Sequence, residues 1–372
     1  METCQLRENS VEGSLSVMLK SRRQRLLPFF ETHDLDLLLI EHPVNLRYLS
    51  GFSGSEGALL LSPEGGWFLC DSRYTVQAAQ EVAGLQVIEQ AQRQEGIADL
   101  VRQSGGCRLG FEAAHTTVSN HQGLAARLPG VTLVGLGQEL DAVRTCKDVS
   151  ELGLLEQVAG LASASLEAVL PLLQPGVRED EFALQLEFEM RRRGADGRGF
   201  DFIVASGVRG AMPHGRASDK TIQAGELVTI DFGAVQNGYH SDETVTVAVG
   251  SIGERQQRIY QTVLEAHDRA IAAVKPGISC RELDAQARDH IKAEGFGDYF
   301  GHGLGHGVGL DVHEKPVVSP RSEAVIEEGM VITIEPGIYI PGLGGVRIED
   351  TVAVTADGCR LLTKVSKQLV IV

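Results

Sequence analysis

The second half of the chain carries one pattern twice, and this repeat constrains the fold more than any other feature. Gly225–Gly233 (GELVTIDFG) matches Gly329–Gly337 (GMVITIEPG), and each is an apolar run that leads into an acid and a glycine. Further along, Asp242–Val245 matches Glu349–Val352. Each copy spans roughly 100 residues, longer than the repeats of solenoid proteins. Two copies predict one domain with a pseudo-twofold axis, and the recurring acids should lie near that axis.

The part of the chain before this repeat is organised differently. Between about residues 20 and 140, short apolar runs typical of buried strands alternate with helical patterns. The predicted strands are Asp36–Ile40, Gly57–Leu61 and Gly66–Cys70, and the predicted helices are Tyr74–Ala83 and Glu95–Gln103. Such alternation predicts an α/β layer domain. We therefore expect an N-terminal extension over residues 1–17, an α/β domain over 18–145 and the α+β repeat domain over 146–372.

The first copy contains a strong hairpin signal. Asn237-Gly238 favours a two-residue type I′ turn. Counting outward from such a turn pairs Asp231 with Thr244, and Asp242 lies two residues from Thr244. Asp231 and Asp242 are therefore predicted to be diagonal neighbours on one face, with Cβ atoms roughly 7–8 Å apart.

The second copy predicts the same geometry independently. If Pro341–Gly345 forms a five-residue loop, its flanking residues pair and Glu335 lies opposite Thr351. Glu349 is again two residues away, on the same face. The two hairpins together are predicted to direct four carboxylates towards one place.

Four carboxylates on apolar strands need a compensating charge. Bare carboxylates at this spacing repel one another and lose solvation, so most of them would have to take up a proton. Divalent cations remove that problem. Solvent-facing acids on two-sided strands are the alternative, and the matching placement of both pairs argues against it.

A glycine-rich segment, Gly301–Glu314, adds the histidines His302, His306 and His313. Its alternating glycines argue against a helix and allow the backbone to approach the acids closely. A lone histidine is usually structural, but three beside four acids predict a functional cluster. Four oxygens and one nitrogen form a hard ligand set that favours Mn²⁺, with Co²⁺ and Zn²⁺ as further candidates. Two such ions acidify water, so the expected reaction is metal-assisted hydrolysis.

Composition narrows the partners and the location. The chain has 50 acidic and 34 basic residues and a net charge of −16, which disfavours nucleic acid and anionic membranes as partners. Six widely spaced cysteines without a Cys-x-x-Cys pair fit free thiols in a reducing compartment. The N-terminal residues are too polar for a signal peptide, and no apolar run reaches the roughly 18 residues that span a bilayer. We expect a cytoplasmic protein that binds neither nucleic acid nor membrane.

The motifs of the second half resemble, in order, those of the proline-specific metallopeptidases, prolidase and aminopeptidase P, which share the pita-bread catalytic fold. The motifs are Ile230–Gly233, Ser241–Thr244, His302–His306, Glu335–Gly337 and Arg347–Asp350. Tyr48–Ser55 and Cys70–Tyr74 resemble the smaller N-terminal domain of such enzymes. The resemblance implies hydrolysis of the bond between a residue and a following proline in short peptides, by a homodimer or a larger homo-oligomer.

The resemblance also implies how the metals are held. Asp242 and Glu349 would bridge two metal ions, Asp231 would bind one ion, and His306 and Glu335 would bind the other. Glu335 would also act as general base for the attacking water.

The remaining implied residues contact the substrate or orient the ligands. His214, in Met212–Gly215, and His313 would bind the substrate and stabilise the tetrahedral intermediate. His302 is similar to the additional histidine of the proline-directed branch. Arg347 would orient the bridging acids or a substrate carboxylate.

Substrate length stays open at this point. Longer prolidases carry an arginine-containing insertion before the glutamate motif, whereas Lys315–Gly329 is short here and Arg321 is its only arginine. A strict dipeptidase and an aminopeptidase P both fit, and the sequence slightly favours the second. A methionine aminopeptidase is a further alternative, against which His302 and the N-terminal domain argue. A metal-free, creatinase-like hydrolase or a silent binding protein is another, against which the intact ligand set argues.

Overall fold

The chain divides into two units between Arg144 and Thr145 in the computed structural model, which describes residues 16–372. Residues 1–15 of the expected N-terminal extension lie outside the described residues. Among the cysteines of residues 16–372, Cys70, Cys107, Cys280 and Cys359 are free thiols.

The first unit is built on one mixed sheet with helices packed against it. Its elements are α1 (residues 16–24), α2 (Leu27–Thr32), β1 (Leu37–Ile40), α3 (Pro43–Ser50), β2 (Ala58–Leu61), β3 (Gly66–Cys70), α4 (Thr75–Glu81), β4 (Gln86–Glu89), α5 (Arg93–Ser104), β5 (Arg108–Glu112), α6 (Val118–Arg127) and β6 (Thr132–Leu136). The strand order is β4-β3-β2-β1-β5-β6. Strand β2 runs antiparallel to both of its neighbours, and the other pairs are parallel.

The strands that the sequence predicts in this unit are all present. Gly66–Cys70 has the predicted bounds, and the other two strands begin one residue later than expected. The predicted helices also form, with ends that differ by one to two residues. Long apolar side chains explain this agreement, because every residue of Leu37–Ile40 and Ala58–Leu61 is buried in the unit's core.

The second unit contains the repeat. Its elements are α7 (Val149–Val169), α8 (Glu179–Arg192), β7 (Gly197–Arg198), β8 (Ile203–Ser206), β9 (Glu226–Phe232), β10 (Ala234–Gln236), β11 (Tyr239–His240), β12 (Glu243–Val249), α9 (Glu254–Ala273), α10 (Cys280–Ala293), β13 (Gly305–Gly307), β14 (Glu314–Val318), β15 (Val331–Ile334), β16 (Gly337–Ile340), β17 (Gly344–Arg347), β18 (Asp350–Thr355) and β19 (Gly358–Leu361). Each copy has two helices followed by an acid-bearing hairpin.

The two helical pairs have equivalent turns and equivalent packing. Gly176 follows α7 and Gly277 follows α9, and both have positive φ angles, 100° and 89°, which glycine adopts without steric cost. Helices α7 and α8 pack against β8, β10 and β11, whereas α9 packs against β15 and β16. The first helix of each pair, α7 or α9, therefore covers the hairpin of its own copy.

The first hairpin has the predicted turn and register. Asn237 and Gly238 both have positive φ angles, 51° and 77°, as a type I′ turn requires. Asp231 pairs with Thr244, as predicted. The hairpin is nevertheless divided into two ladders at Gly233, where a Cβ atom would lie 2.0 Å from the carbonyl oxygen of Ser241.

The second hairpin differs from the prediction by two residues. Ile340 pairs with Gly344 rather than Val346, so the loop has three residues and not five. Thr351 consequently pairs with Thr333, and the prediction that it lies opposite Glu335 is wrong. The tighter loop forms because Leu343 N donates a hydrogen bond to the Ile340 carbonyl. A shift of two residues keeps every side chain on its face, so the predicted side for both glutamates is unaffected.

One helical stretch, Val149–Leu172, is long and apolar enough to cross a membrane by length and composition. It has the packing of a core helix. Leu155, Val158 and Leu166 recur at helical spacing and are buried within the second unit. The hydroxyl of Ser163 on the same face donates to the buried carboxylate of Glu243 at 2.5 Å.

Candidate metal centre

The two copies meet at their acids. Asp231 lies at the end of β9, and Asp242 and Glu349 immediately precede β12 and β18. Glu349 N donates to the Thr244 carbonyl at 3.0 Å, which joins the first hairpin to the second. The side-chain hydroxyl of Thr244 also donates to Glu349 Oε2 at 2.6 Å.

A reciprocal contact comes from the second copy. Thr351, the counterpart of Thr244, donates its hydroxyl to the Asp242 carbonyl at 2.6 Å. The two threonines thus fix the residues that precede the central strands. The acids lie at the junction of the copies, where the repeat predicts them.

His306 lies beside these acids on β13. Its Nε2 atom is 3.6 Å from Asp242 Oδ2 and 3.4 Å from Glu335 Oε1. Ligand atoms of Asp242, His306 and Glu349 all lie within 4.8 Å of one another. A Cβ atom on Gly305 would lie 2.0 Å from the Thr333 carbonyl oxygen, so glycine is required for this strand to lie so close to β15.

The protonation of His306 suits a metal ligand. Its Nδ1 atom lies 3.0 Å from the Gly307 carbonyl, which can only accept, so Nδ1 carries the proton. The lone pair is then on Nε2, the atom that faces the acids. Burial lowers the pKa of His306 to about 4, so the ring is neutral at physiological pH. This orientation by a carbonyl is common among metal-binding histidines.

The charges of the site are unbalanced. Burial and the neighbouring carboxylates raise the pKa of Asp242 well above its usual value, and burial does the same for Glu349. Burial raises the pKa of Glu335 to about 8. Against these acids and Asp231, Arg347 is the one guanidinium within the cluster, and Asp231 Oδ1 is buried without a hydrogen-bond partner among the described residues. A hard oxygen-rich set with an unpaired ligand atom fits divalent cations.

Arg347 holds several parts of the site together. Its Nη2 atom contacts Asp231 Oδ2 at 2.5 Å, and its Nε atom donates to the Thr244 hydroxyl at 3.2 Å. Its Nη1 atom donates to the Pro213 carbonyl at 3.1 Å, next to His214, and to the Tyr339 hydroxyl at 3.0 Å. The side chain is only 4% exposed, so these contacts fix its orientation.

Tyr339 is a site residue that the sequence reasoning missed. It donates its hydroxyl to His302 Nε2 at 2.9 Å, because His302 Nδ1 donates to the Gly303 carbonyl at 2.8 Å. Burial raises the pKa of Tyr339 to about 12 and lowers that of His302 to about 4. In the sequence Tyr339 looks like an ordinary apolar strand position, although a correct hairpin register places it on the face of Arg347.

All nine residues singled out from the sequence line one cleft of about 380 Å³. They are Asp231, Asp242, His306, Glu335, Glu349, His214, His302, His313 and Arg347. The ring of His313 stacks obliquely on that of His306, with centroids 4.2 Å apart. Apolar residues that the sequence reasoning did not select, Phe200, Ile203 and Val312, complete the wall. The cleft therefore combines an acidic cluster, several imidazoles and an apolar surface.

Known protein families match both halves of the chain. The profile of metallopeptidase family M24 matches residues 153–356, and that of the creatinase/prolidase N-terminal domain matches residues 22–146. The chain belongs to metallopeptidase family M24. Members of this family are metal-dependent hydrolases. The match also confirms the predicted pita-bread fold, which follows the α/β domain in the sequence.

Individual M24 relatives are similar over nearly their whole length. The Xaa-Pro dipeptidase of Pyrococcus furiosus is 40% identical over 353 residues, which cover 94% of this chain and 100% of the relative. The structure of an Xaa-Pro dipeptidase from Bacillus anthracis has a TM-score of 0.93 at 40% identity and covers 95% of this chain and 100% of its own. The structure of an X-Pro aminopeptidase from Thermotoga maritima has a TM-score of 0.87 at 35% identity, and it covers 91% of this chain and 98% of its own.

Proposed function

We propose that this chain is a dinuclear metallopeptidase that hydrolyses the bond between a residue and a following proline in short peptides. The observation that carries the proposal is the convergence of four carboxylates and His306 on one side of a cleft with an apolar wall. The relatives support the choice of bond, since both the dipeptidases and the aminopeptidase among them are named for Xaa-Pro.

We assign the ligands by position in the two copies. Asp242 and Glu349, which sit where the copies join, would bridge two ions. Asp231 would complete one site, and His306 and Glu335 the other. The oxygen-rich set favours Mn²⁺. The chemistry that such ions supply is acidification of a water molecule and polarisation of the scissile carbonyl.

Glu335 is the residue that we expect to move the proton. In the metal-loaded protein its carboxylate would be ionised and able to accept a proton, and its Oε1 atom lies 3.4 Å from His306 Nε2, within the cluster that would hold the ions. Its carboxylate oxygen takes a proton as the water oxygen bonds to the carbonyl carbon. The proton then passes to the proline nitrogen as the C–N bond breaks.

The histidines and the apolar wall would position the substrate. His214 and His313 donate hydrogen bonds to the oxygen of the tetrahedral intermediate, a contact whose loss costs about 10²–10³ in kcat. A bond to proline has no N–H at the scissile nitrogen, so the ring must be recognised by shape. Phe200, Ile203 and Val312 offer such a surface, and His302 lies at the same cleft.

The direct test compares Ala-Pro, Ala-Pro-Ala and Ala-Ala as substrates of dialysed protein with and without added Mn²⁺. We expect Ala-Pro and Ala-Pro-Ala to be cleaved only with metal, and Ala-Ala much more slowly. The short Lys315–Gly329 segment leads us to expect the tripeptide to be cleaved at least as well as the dipeptide. Equal rates on Ala-Pro and Ala-Ala would contradict the choice of bond, and full activity without metal would contradict the mechanism.

A further inference from the structure

A recess of about 500 Å³ adjoins the cleft of the second unit. We call it the side recess; it is lined on one side by α8 and on the other by Arg198, Phe202 and Ala217. Asp201 and Arg216 line both the side recess and the catalytic cleft. A peptide that leaves the cleft in this direction must therefore pass Arg216.

The two arginines of the cleft differ in what they can bind. Arg347 is 4% exposed, and its nitrogen atoms contact Asp231, Thr244, Tyr339 and a carbonyl. The side chain of Arg216 is 75% exposed, and its ion pair with Asp201 uses the single atom Nη1. The side chain lines two accessible spaces, the cleft of about 380 Å³ and the side recess of about 500 Å³.

The position of Arg216 is well fixed at the backbone. It forms a β-bridge with Ile203, its N–H donates to the His214 carbonyl, and its own carbonyl accepts from Arg209 Nη2 at 2.8 Å. It therefore follows His214, a proposed substrate ligand, by only two residues on an ordered segment. The guanidinium rests on Asp201 Oδ2 at 2.8 Å, which limits its range of orientations.

The charges at this junction balance, because the guanidinium groups of Arg198 and Arg216 lie beside the carboxylates of Asp201 and Glu187. Asp201 is shared, because Arg198 Nη2 lies 2.6 Å from Asp201 Oδ1 while Arg216 takes Oδ2. Two guanidinium groups thus face one carboxylate, with Glu187 3.5 Å from the far side of Arg198. Because Arg216 contacts Asp201 through Nη1 alone, its other N–H groups stay available to a carboxylate, whose geometry the paired N–H groups of a guanidinium match.

We propose that Arg216 binds the C-terminal carboxylate of short peptide substrates. The proposal rests on the proposed function and deepens it, because it names the residue that contacts the substrate carboxylate. The short Lys315–Gly329 segment offers only one arginine for that contact, Arg321. The side recess beside Arg216 leaves room for the carboxylate to lie farther from the scissile bond in longer peptides. Such a contact is exposed to solvent, so we expect it to change affinity more than turnover.

The test measures Ala-Pro against Ala-Pro-amide, which lacks the carboxylate but keeps the scissile bond. In the wild type, we expect KM to be on the order of 10-fold lower for the acid, the low end for a hydrogen bond to a charged group. In Arg216→Ala the KM for the acid should rise to that of the amide, with kcat nearly unchanged. Arg216→Lys should recover part of the preference, because it keeps the charge.

Arg198→Ala is the matched control. Arg198 binds the same aspartate but lines only the side recess, so its removal should leave the acid-to-amide ratio of KM as in the wild type. If Arg216→Ala changes KM for acid and amide equally, or changes neither, the assignment of the carboxylate to Arg216 is wrong. If the wild type cleaves neither compound, the proposed function fails instead.

Discussion

The two acid-bearing hairpins of the second unit share a plan but not a local structure. The first turns at Asn237-Gly238 and is divided into two ladders at Gly233. The second turns within the three residues after Ile340 and changes sheets after Ile334. Both nevertheless deliver two carboxylates to the same cleft. The position of the acids therefore depends on which face of its strand each acid lies on and on how the two copies join. It does not depend on the type of turn.

The two hairpins differ more in the charged groups around their acids than in their backbone structure. Asp231 of the first is paired with Arg347, which belongs to the second. Glu335, the counterpart of Asp231, instead lies next to the neutral ring of His306. The position equivalent to Arg347 in the first copy is His240, two residues before Asp242. A symmetric fold thus carries an asymmetric distribution of charge, which gives equivalent acids different tasks.

The largest expected effect tests the equivalence of Asp242 and Glu349. Asp242→Asn and Glu349→Gln each remove one negative charge at the junction of the copies with little change in shape. Because both are proposed to bridge the ions, each should lower kcat on Ala-Pro by more than the about 10²–10³ that accompanies loss of a single oxyanion donor. Steady-state kinetics at saturating Mn²⁺ measure this. Survival of a tenth of the activity in either variant would remove that residue from the bridging pair.

A smaller effect tests the asymmetry. Arg347→Lys keeps the charge but loses the fork that joins Asp231, Tyr339 and the Pro213 carbonyl. Loss of a contact that orients ligands typically costs 10–100-fold in metal affinity, and we expect about 10-fold here because the charge remains. Calorimetric titration of dialysed protein with Mn²⁺ measures the affinity.

His240→Gln is the control for that experiment, since it changes the equivalent position of the other copy. It should leave the affinity for Mn²⁺ unchanged. Equal losses in the Arg347 and His240 variants would mean that the copies support the metals symmetrically, against the account given above.

The smallest effect concerns pH and the metal-free protein. Burial raises the pKa of Glu335 from its usual 4.5 to about 8, so the folded protein keeps a proton that the unfolded chain releases. This contribution to stability is complete below pH 4.5 and is lost as pH rises towards 8. The melting temperature of the metal-free protein should therefore fall over this range.

Glu335→Gln provides the comparison, because it cannot titrate and should show a shallower decline. The melting temperature of metal-loaded protein should not decline over this pH range, since its carboxylates are already ionised. Two results would contradict the protonation of Glu335 in the metal-free protein. One is a melting temperature of the metal-free wild type that rises between pH 5 and pH 8. The other is a dependence on pH identical to that of Glu335→Gln.

Much of the site could be predicted from local sequence, because it depends on strand periodicity and on one well-defined turn. The pairing of Asp231 with Thr244 follows from the Asn237-Gly238 turn alone. The loop after Ile340 was harder, since Pro341–Gly345 contains three glycines that permit more than one turn. Gly342 and Gly344 take the positive φ angles, 79° and 133°, and this choice shortens the loop.

Contacts between the copies could not be predicted in this way. The pairing of Arg347 with Asp231 joins positions 116 residues apart and depends on how two hairpins meet. Tyr339 and Phe200 look like ordinary strand or loop hydrophobics until the cleft is formed. Arg216 lies in a polar loop, and only the shared wall of two cavities distinguishes it.

The central claim is that acids from both copies form one dinuclear centre. Its most direct test is the number of Mn²⁺ ions bound per chain, measured by native mass spectrometry of dialysed wild type and of the Asp242→Asn/Glu349→Gln double variant during titration. The account predicts two ions per wild-type chain, activity that appears as they bind, and no stoichiometric binding in the double variant. Full activity in metal-free wild type, or two ions retained by the double variant, would contradict it.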